Sequence, residues 1–208
     1  MKRVTTDLEI AEKIYKRRKE VIENIDQESI DVYLWLKDAH EKGNIKNNFI
    51  FQFVFRSYYG LDRAGLSKAQ KKKFFELLVK KETDLRIILR KLSELPNRQN
   101  QNTVQFSFAT KLLHTIDDSK PIFDAKVSVV VHKAVTGSSV EEKIESAEKL
   151  YNDLENLYLG LIENEKVREV IKGFKSRFGL GPKNMTEQKI LDFIIWSLGS
   201  LLVKKIKK

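Results

Sequence analysis

Apolar residues recur along most of this chain at intervals of three and four positions, which is the spacing of amphipathic helices. The first such stretch runs from about Asp7 to Asn24, and the last one follows Thr186. Further stretches with this spacing lie at 28–41, 68–80, 83–95, 124–134, 138–163 and 166–178. The pattern predicts an all-α protein of roughly nine or ten helices.

Capping residues stand in front of several of these stretches. Thr6 with Glu9, and Ser67 with Gln70, form capping boxes in which side-chain oxygens bind free amides at a helix start. Thr83 is the predicted cap of the helix that Pro96 ends. Further predicted helix starts are marked by Asp124, Ser138, Ser139 and Thr186.

The segment behind Asn48 reads FIFQFVFRSYY, and its aromatic content also suits a β-strand. Because the chain has no second clear strand to pair with it, and the segment is long, we predict a buried helix. Its rings are expected in the core, although aromatic side chains could instead stack on nucleic-acid bases.

Length and composition fit one globular all-α domain. The 208 residues suit a single domain over 1–208, organised either as one body or as two lobes with a cleft near residues 96–127. Hydrophobic residues make up 41% of the chain, which argues against disorder. There are no cysteines and three histidines, so we expect no disulfide, no metal and no cofactor. The N-terminus has no apolar signal core, and the run 190–203 is too short and polar to span a bilayer, which predicts a cytoplasmic protein without a membrane contact.

The chain is strongly basic. Its formal net charge is +10, from 39 Lys and Arg against 29 Asp and Glu, which attracts phosphate backbones or anionic lipid surfaces. Alternatively, the chain comes from a lysine-rich proteome, in which many proteins carry a similar excess of positive charge without a specific anionic partner. The lysines at 68, 71, 72 and 73 lie around one predicted helix, so we interpret them as a solvated face that could contact a nucleic-acid backbone.

The segment 107–127 (SFATKLLHTIDDSKPIFDAKV) carries the residues best suited to chemistry. Lys111 and His114 lie on one side of a predicted helix, and Asp124 follows at the start of the next. A desolvated lysine amine can attack a sugar carbon, and a carboxylate can stabilise the developing sugar cation. His114 could move a proton or contact a phosphate. In the basic loop 97–102, Arg98 with the amides of a nearby helix start could bind a phosphate.

Each of these residues also has a structural interpretation. Lys111 could be a surface lysine, Asp124 a plain N-cap, His114 a buried histidine, and the loop around Arg98 a flexible surface segment. The adjacent acids 117 and 118 are too few for a calcium or magnesium site. The chain lacks the motifs GxxxxGK[ST], GxGxxG, GxSxG and HExxH. Their absence argues against five classes of enzyme: kinases, nucleotide triphosphatases, dehydrogenases, serine hydrolases and zinc proteases.

Three strings of this sequence, SFATKLLH (107–114), PIFDAKV (121–127) and LDFIIWSLG (191–199), resemble an uncharacterised bacterial family with an SFAxKxxH…PIxDxxV pattern. That family in turn resembles the helix-hairpin-helix DNA glycosylases. The resemblance implies a helix-hairpin-helix glycosylase-like bundle, in which Leu95-Pro96 begins the hairpin. It also implies that Thr110-Lys111 carries the nucleophilic lysine and that Pro121 to Asp124 carries the catalytic acid.

We therefore expect a DNA-binding, DNA-glycosylase-like protein that acts on a damaged or modified base, with Lys111 and Asp124 as catalytic residues. The predicted DNA contacts are Arg98, Ser107, His114, Lys120 and Lys126. Two alternatives stay open. One is a non-catalytic nucleic-acid-binding or defence-associated helical scaffold, and the other is a helical protein–protein adaptor whose positive charge is incidental.

Overall fold

The computed structural model describes residues 6–181 and 184–206, and this part of the chain forms eleven α-helices and no β-strand. The predicted all-α class is confirmed, while the predicted count of nine or ten helices is slightly low. The helices are α1 (Asp7–Lys16), α2 (Arg18–Glu23), α3 (Gln27–Glu41), α4 (Phe49–Tyr58), α5 (Lys68–Val79), α6 (Leu85–Ser93), α7 (Phe106–Ile116), α8 (Ala125–Val131), α9 (Val140–Glu163), α10 (Glu165–Arg177) and α11 (Glu187–Ile206).

The additional helix comes from a break at Arg17, so the prediction of one continuous helix over 7–24 is wrong. Arg17 departs from helical geometry, with φ −109° and ψ 16°, and its amide donates to the Tyr15 carbonyl. The Arg18 guanidinium donates to the same carbonyl at 3.0 Å. Because the Tyr15 carbonyl is engaged by these local donors rather than by the regular helical ladder, the chain restarts as α2.

Most predicted caps begin helices as expected. The Thr6 hydroxyl accepts the Glu9 amide, and a reciprocal side-chain bond closes the capping box. Ser67 and Gln70 do the same in front of α5. Ser139 accepts the Glu142 amide before α9, and Thr186 accepts the Lys189 amide before α11. The prediction that Thr83 caps α6 is wrong. The N-cap is Asp84, whose carboxylate accepts the Ile87 amide, so the helix begins one residue later than predicted.

The aromatic segment is helix α4, as predicted, with the Asn48 side chain accepting the Phe51 amide. Its placement in the core is only half correct. Phe51 and Phe55 are fully buried, whereas Phe49 is 76% exposed and Phe53 is 62% exposed. Because the apolar residues of α4 extend beyond the side that packs in the core, the helix keeps an exposed aromatic face.

The described helices fall into two compact units that alternate along the chain. The first unit comprises the chain up to Gln27, the segment Asp118–Ala134 and the chain from Leu150 onwards. In it, α1, α2, α8 and α10 pack against α11. Its core contains Ile10, Ile14, Val21, Leu154, Leu161, Ile171, Phe174, Ile194, Ile195 and Leu198.

The second unit comprises Glu28–Asp117 and Val135–Lys149, so α9 contributes its first turns here and its remainder to the first unit. Helices α5, α6 and α7 pack on one another. The fully buried Gln70 amide on α5 donates to the carbonyls of Leu92 and Leu95 at 3.1 Å and 2.9 Å, which satisfies the C-terminal end of α6. The core of this unit contains Phe51, Phe55, Phe74, Leu78, Ile88, Leu89, Leu112, Ile144 and Ala147.

Helix α11 contains the longest apolar run of the sequence. Two ionisable residues, Lys189 and Asp192, are buried within it. Among the helices that the structure describes, none combines the length and the apolar character needed to cross a bilayer.

Candidate functional site

Lys111 lies in α7 of the second unit, where it is 8% exposed. Its Nζ atom donates to the Tyr59 carbonyl at 3.2 Å and to the Ser107 hydroxyl at 3.1 Å. The same atom lies 4.8 Å from the centre of the Phe108 ring. The interpretation of Lys111 as a surface lysine does not fit this burial, and its role as a nucleophile stays a prediction.

Two predicted DNA contacts lie on the same helix as Lys111. Ser107, one turn earlier, is half-buried and shares a hydrogen bond with the lysine amine. His114, one turn later, is 2% exposed, and its ring packs against Tyr33 with the centroids 5.9 Å apart. The structure therefore places Ser107 directly at the amine, whereas the burial of His114 agrees with the alternative of a core histidine.

Asp124 belongs to the first unit and caps α8, as predicted from the sequence. Its Oδ1 atom accepts the amides of Lys126 at 2.8 Å and Val127 at 3.0 Å. The helix ends at Val131 rather than near Ala134, because His132 adopts a left-handed conformation with φ 54°. The carboxylate is therefore fixed in orientation, with both amides bound to the same oxygen.

Hydrogen bonds and an ion pair anchor the turn that precedes Asp124 to the rest of the first unit. The Thr186 hydroxyl donates to the Asp118 carbonyl at 2.8 Å, and the Tyr151 hydroxyl donates to the Pro121 carbonyl at 3.2 Å. Lys120 forms an ion pair with Glu155 at 2.8 Å. Lys120 thus contributes to holding this turn, and its predicted contact with DNA would compete with that ion pair.

Close packing between α8 and α11 fixes the position of the Asp124 helix. A Cβ atom built on Gly199 would lie 2.7 Å from the carbonyl carbon of Lys126 and closer still to its oxygen. Only glycine allows the two backbones to approach this closely. This gives a physical reason for the last residue of the LDFIIWSLG string, which the sequence showed only as a similarity.

A buried polar cluster in the first unit was missed by the sequence analysis. Lys189 and Asp192 form an ion pair at 2.9 Å, with side chains 3% and 9% exposed. The Tyr158 hydroxyl lies 3.4 Å from the other oxygen of Asp192. Charged residues three positions apart inside an apolar run were the available signal, because such a pair faces one side of a helix.

Burial raises the pKa of Tyr158 well above its usual value, and the nearby carboxylates of Asp192 and Asp124 raise it further. Asp124 therefore lies close enough to this cluster to act on it electrostatically.

The raised pKa of Tyr158 predicts a loss of stability in alkaline solution. Above about pH 10 the unfolded tyrosine ionises while the folded one stays protonated, so the free energy of unfolding falls by about 1.4 kcal/mol per pH unit from this residue. Tyr158→Phe should remove this part of the decline. Denaturant unfolding of both proteins across that pH range measures it, and parallel profiles would contradict the prediction.

The loop around Arg98 forms a hydrogen-bonded turn. The Asn97 side chain accepts the amides of Gln99 and Gln101 at 2.9 Å and 3.0 Å. The Arg98 guanidinium donates through Nε to the Leu66 carbonyl at 3.1 Å. Two loop amides that could bind a phosphate are thus already satisfied, while Arg98 itself stays exposed.

Concave regions on the described part of the chain include two whose linings carry many charged residues. One, in the first unit, has a volume of about 1280 Å³ and is lined by charges of both signs, including Glu12, Lys16 and Lys133. The other, in the second unit, lies between α4 and α5 and has a volume of about 700 Å³. Neither Lys111 nor Asp124 is among their lining residues. Over the described ranges, no group of three or more acids and histidines is arranged to hold a metal.

The two predicted catalytic residues therefore belong to different units, Lys111 to the second and Asp124 to the first. Their convergence on one substrate stays a prediction. Comparison with known proteins returns no match to a family model, to a curated protein or to a solved structure. The resemblance to DNA glycosylases consequently rests on the motif residues alone.

Proposed function

We propose that this chain is a DNA-binding protein of the DNA-glycosylase type, in which Lys111 is the nucleophile and Asp124 its electrostatic partner. The observation that carries the proposal is the burial of the Lys111 amine beside a hydroxyl, a carbonyl and an aromatic ring. A lysine amine held in this way can act as a nucleophile once it has lost its proton.

The proposed reaction is displacement at the sugar carbon that carries the base. The neutral Lys111 amine forms a bond to that carbon as the glycosidic bond breaks, and the bonding electrons leave with the base. The base then takes up a proton, and the ammonium formed at Lys111 gives one up. Ser107, 3.1 Å from the amine, is placed to orient it. The target base has to leave the duplex before this atom can be reached.

The carboxylate of Asp124 would stabilise the positive charge that develops on the sugar. Its Oδ1 atom is held by two backbone amides, so Oδ2 is the oxygen through which it would act. The anchored turn 118–124 and the close approach of α8 to α11 restrict its movement. A preorganised carboxylate costs little reorganisation during the reaction.

The positive charge of the chain supports DNA as the partner. A formal net charge of +10 attracts the phosphate backbone at long range and speeds encounter. Binding that rests on this attraction weakens steeply as salt is raised.

A non-catalytic DNA-binding scaffold is the second candidate, and a specific observation favours it. Asp124 already serves as an N-cap, and the Lys111 amine already holds Tyr59 and Ser107 together. Both residues could be retained for these structural roles alone. The two candidates differ in whether substitution of either residue changes chemistry without changing DNA binding.

Borohydride trapping on abasic duplex DNA tests whether Lys111 acts as a nucleophile. We expect wild type to give a covalent adduct, because reduction fixes the imine between the Lys111 amine and the sugar aldehyde. Lys111→Arg keeps the positive charge and should bind DNA but give no adduct. Asp124→Asn keeps a good N-cap and should bind DNA, while base release from a panel of damaged duplexes falls by about a hundredfold or more.

Three results would contradict this expectation. An undiminished adduct with Lys111→Arg would assign the nucleophile to another residue. Equal DNA binding without base release or adduct, in wild type and both variants, would establish the scaffold instead. Absence of DNA binding by wild type at low salt would remove both candidates.

A further inference from the structure

The concave region between α4 and α5, here named the α4–α5 groove, combines apolar and basic surface. Phe75 and Val79 of α5 form apolar parts of its lining, and Phe49 lies at the start of α4 beside them. The same lining includes the lysines at 46, 68, 72 and 80. From the sequence, the aromatic segment was expected in the core, with base stacking as the alternative, and Lys68 and Lys72 on a solvated face that could contact a nucleic-acid backbone. Their position on one common surface was not predicted.

Charge in the α4–α5 groove is predominantly positive. Arg56 and Lys71 are both paired with Asp62, at 3.2 Å and 2.7 Å. The acid in the lining, Glu76, is paired with Lys73 at 3.0 Å. For the lysines at 46, 68, 72 and 80, the described part of the chain provides no ion pair. The groove therefore favours an anionic occupant.

Two phenyl rings are exposed on α4: Phe49, which lines the groove, and Phe53, which is not one of the lining residues. Phe49 and Phe53 are four residues apart, so they lie on one side of the helix, and they are 76% and 62% exposed. Large apolar side chains grouped on a surface mark a binding site more often than isolated ones do. Both rings are free of the packing that holds Phe51 and Phe55 in the core.

We propose that the α4–α5 groove binds single-stranded DNA, with Phe49 and Phe53 stacking on bases and with Lys68 and Lys72 binding phosphates. This inference rests on the proposed function, since it names the form of DNA that the protein holds. An unpaired strand presents an aromatic face and a negative charge at every nucleotide, which matches the lysines and Phe49 of the groove and the neighbouring exposed Phe53 of α4. In a duplex the base faces are stacked on one another and unavailable to the rings.

A protein partner matches the groove less well. An acidic helix of a protein partner could neutralise the lysines. Its carboxylates would then have to face the lysines while its apolar residues face the rings of α4, which requires one exact register along both α4 and α5. Along α5, the lysines run from Lys68 to Lys80 over about 18 Å, a length that an extended strand follows without such a register.

Fluorescence anisotropy with a labelled oligo-dT of about 12 nucleotides tests the proposal. Phe49→Ala and Phe53→Ala should each weaken binding by roughly fivefold to a hundredfold, the range of one base–aromatic stack. Lys68→Ala/Lys72→Ala should lower the slope of log affinity against log salt by about 1.4, because each phosphate contact on a single strand contributes about 0.7.

Matched controls come from exposed residues of the first unit. Leu159, which is 57% exposed, provides the apolar control Leu159→Ala. The exposed Lys19 and Lys172 provide the charge control Lys19→Ala/Lys172→Ala. These variants should bind oligo-dT like wild type. Because Phe49 and Phe53 are exposed, their removal should leave the helical circular dichroism spectrum unchanged.

The outcomes separate this inference from the proposed function. If the groove variants bind oligo-dT like wild type while Lys111→Arg abolishes trapping, the proposal that the groove binds single-stranded DNA is wrong. The proposed enzymatic function would then still stand. Polyglutamate that displaces the probe at lower concentration than unlabelled oligo-dT would assign the groove to an acidic protein. Tighter binding of oligo-rU than of oligo-dT would overturn the commitment to DNA. Wild type that binds no nucleic acid would overturn both proposals together.

Discussion

Replacing Gly199 by alanine is expected to lower the free energy of unfolding by about 3 kcal/mol or more, at the upper end of what overpacking costs. The added methyl group would lie 2.7 Å from the carbonyl carbon of Lys126 and closer to its oxygen. These are backbone atoms of α8, so no side-chain rotation can relieve the clash, and α8 has to move away from α11. Thermal unfolding should show a midpoint lower by roughly 6–12 °C.

Gly173→Ala is the matched control for this prediction. Gly173 is also a helical glycine of the first unit, but a Cβ atom there would meet only the tip of Ile22 at 3.4 Å. Alanine should therefore stabilise α10 by about 0.5–1 kcal/mol through its higher helix propensity. Equal midpoints for the two variants would show that the contact at Lys126 does not limit the packing.

Replacing Lys189 by methionine should cost about 3–5 kcal/mol, because it removes one partner of a buried ion pair. The Asp192 carboxylate is 9% exposed and would lose the ammonium that lies 2.9 Å away. The Tyr158 hydroxyl, at 3.4 Å from its other oxygen, is too weak a donor to replace a full charge. Urea unfolding at neutral pH measures the loss.

The double variant Lys189→Met/Asp192→Leu tests the cause of that loss. Replacing both charges by apolar side chains removes the buried charge altogether, and stability should recover most of the decrease. A double variant as unstable as Lys189→Met would show that the geometry of the pair matters beyond its charge, and it would contradict this account.

Helix starts were the most predictable part of this fold, because they depend on a few neighbouring residues. The capping boxes at Thr6 and Ser67 are formed as the sequence indicates. The break at Arg17 was not predictable in the same way, since it depends on a side chain that reaches back to a carbonyl. Thr83 and Asp84 are neighbours, and either could cap a helix. The spacing of apolar residues does not locate a helix start to within one residue, so it could not decide between them.

Burial was harder to predict than helicity. The spacing of aromatic residues on α4 is helical, but the spacing does not say which side is covered by other helices, so Phe49 and Phe53 were placed in the core. For the same reason Lys189 was not noticed, since a lysine within an apolar run looks like an interruption until its partner is known. Lys111 was identified by its motif, and the structure added the neighbours that bury it.

The alternation of the two units along the chain has a consequence for how the protein is made. The second unit is complete in sequence once residue 149 has been synthesised, whereas the first unit packs around α11, which is synthesised only after the second unit. Because domains fold as their residues emerge, the second unit is expected to form while α1 and α2 still wait for the helix that covers them. A chain interrupted before residue 187 would therefore contain the second unit but lack the helix on which α1 and α2 pack.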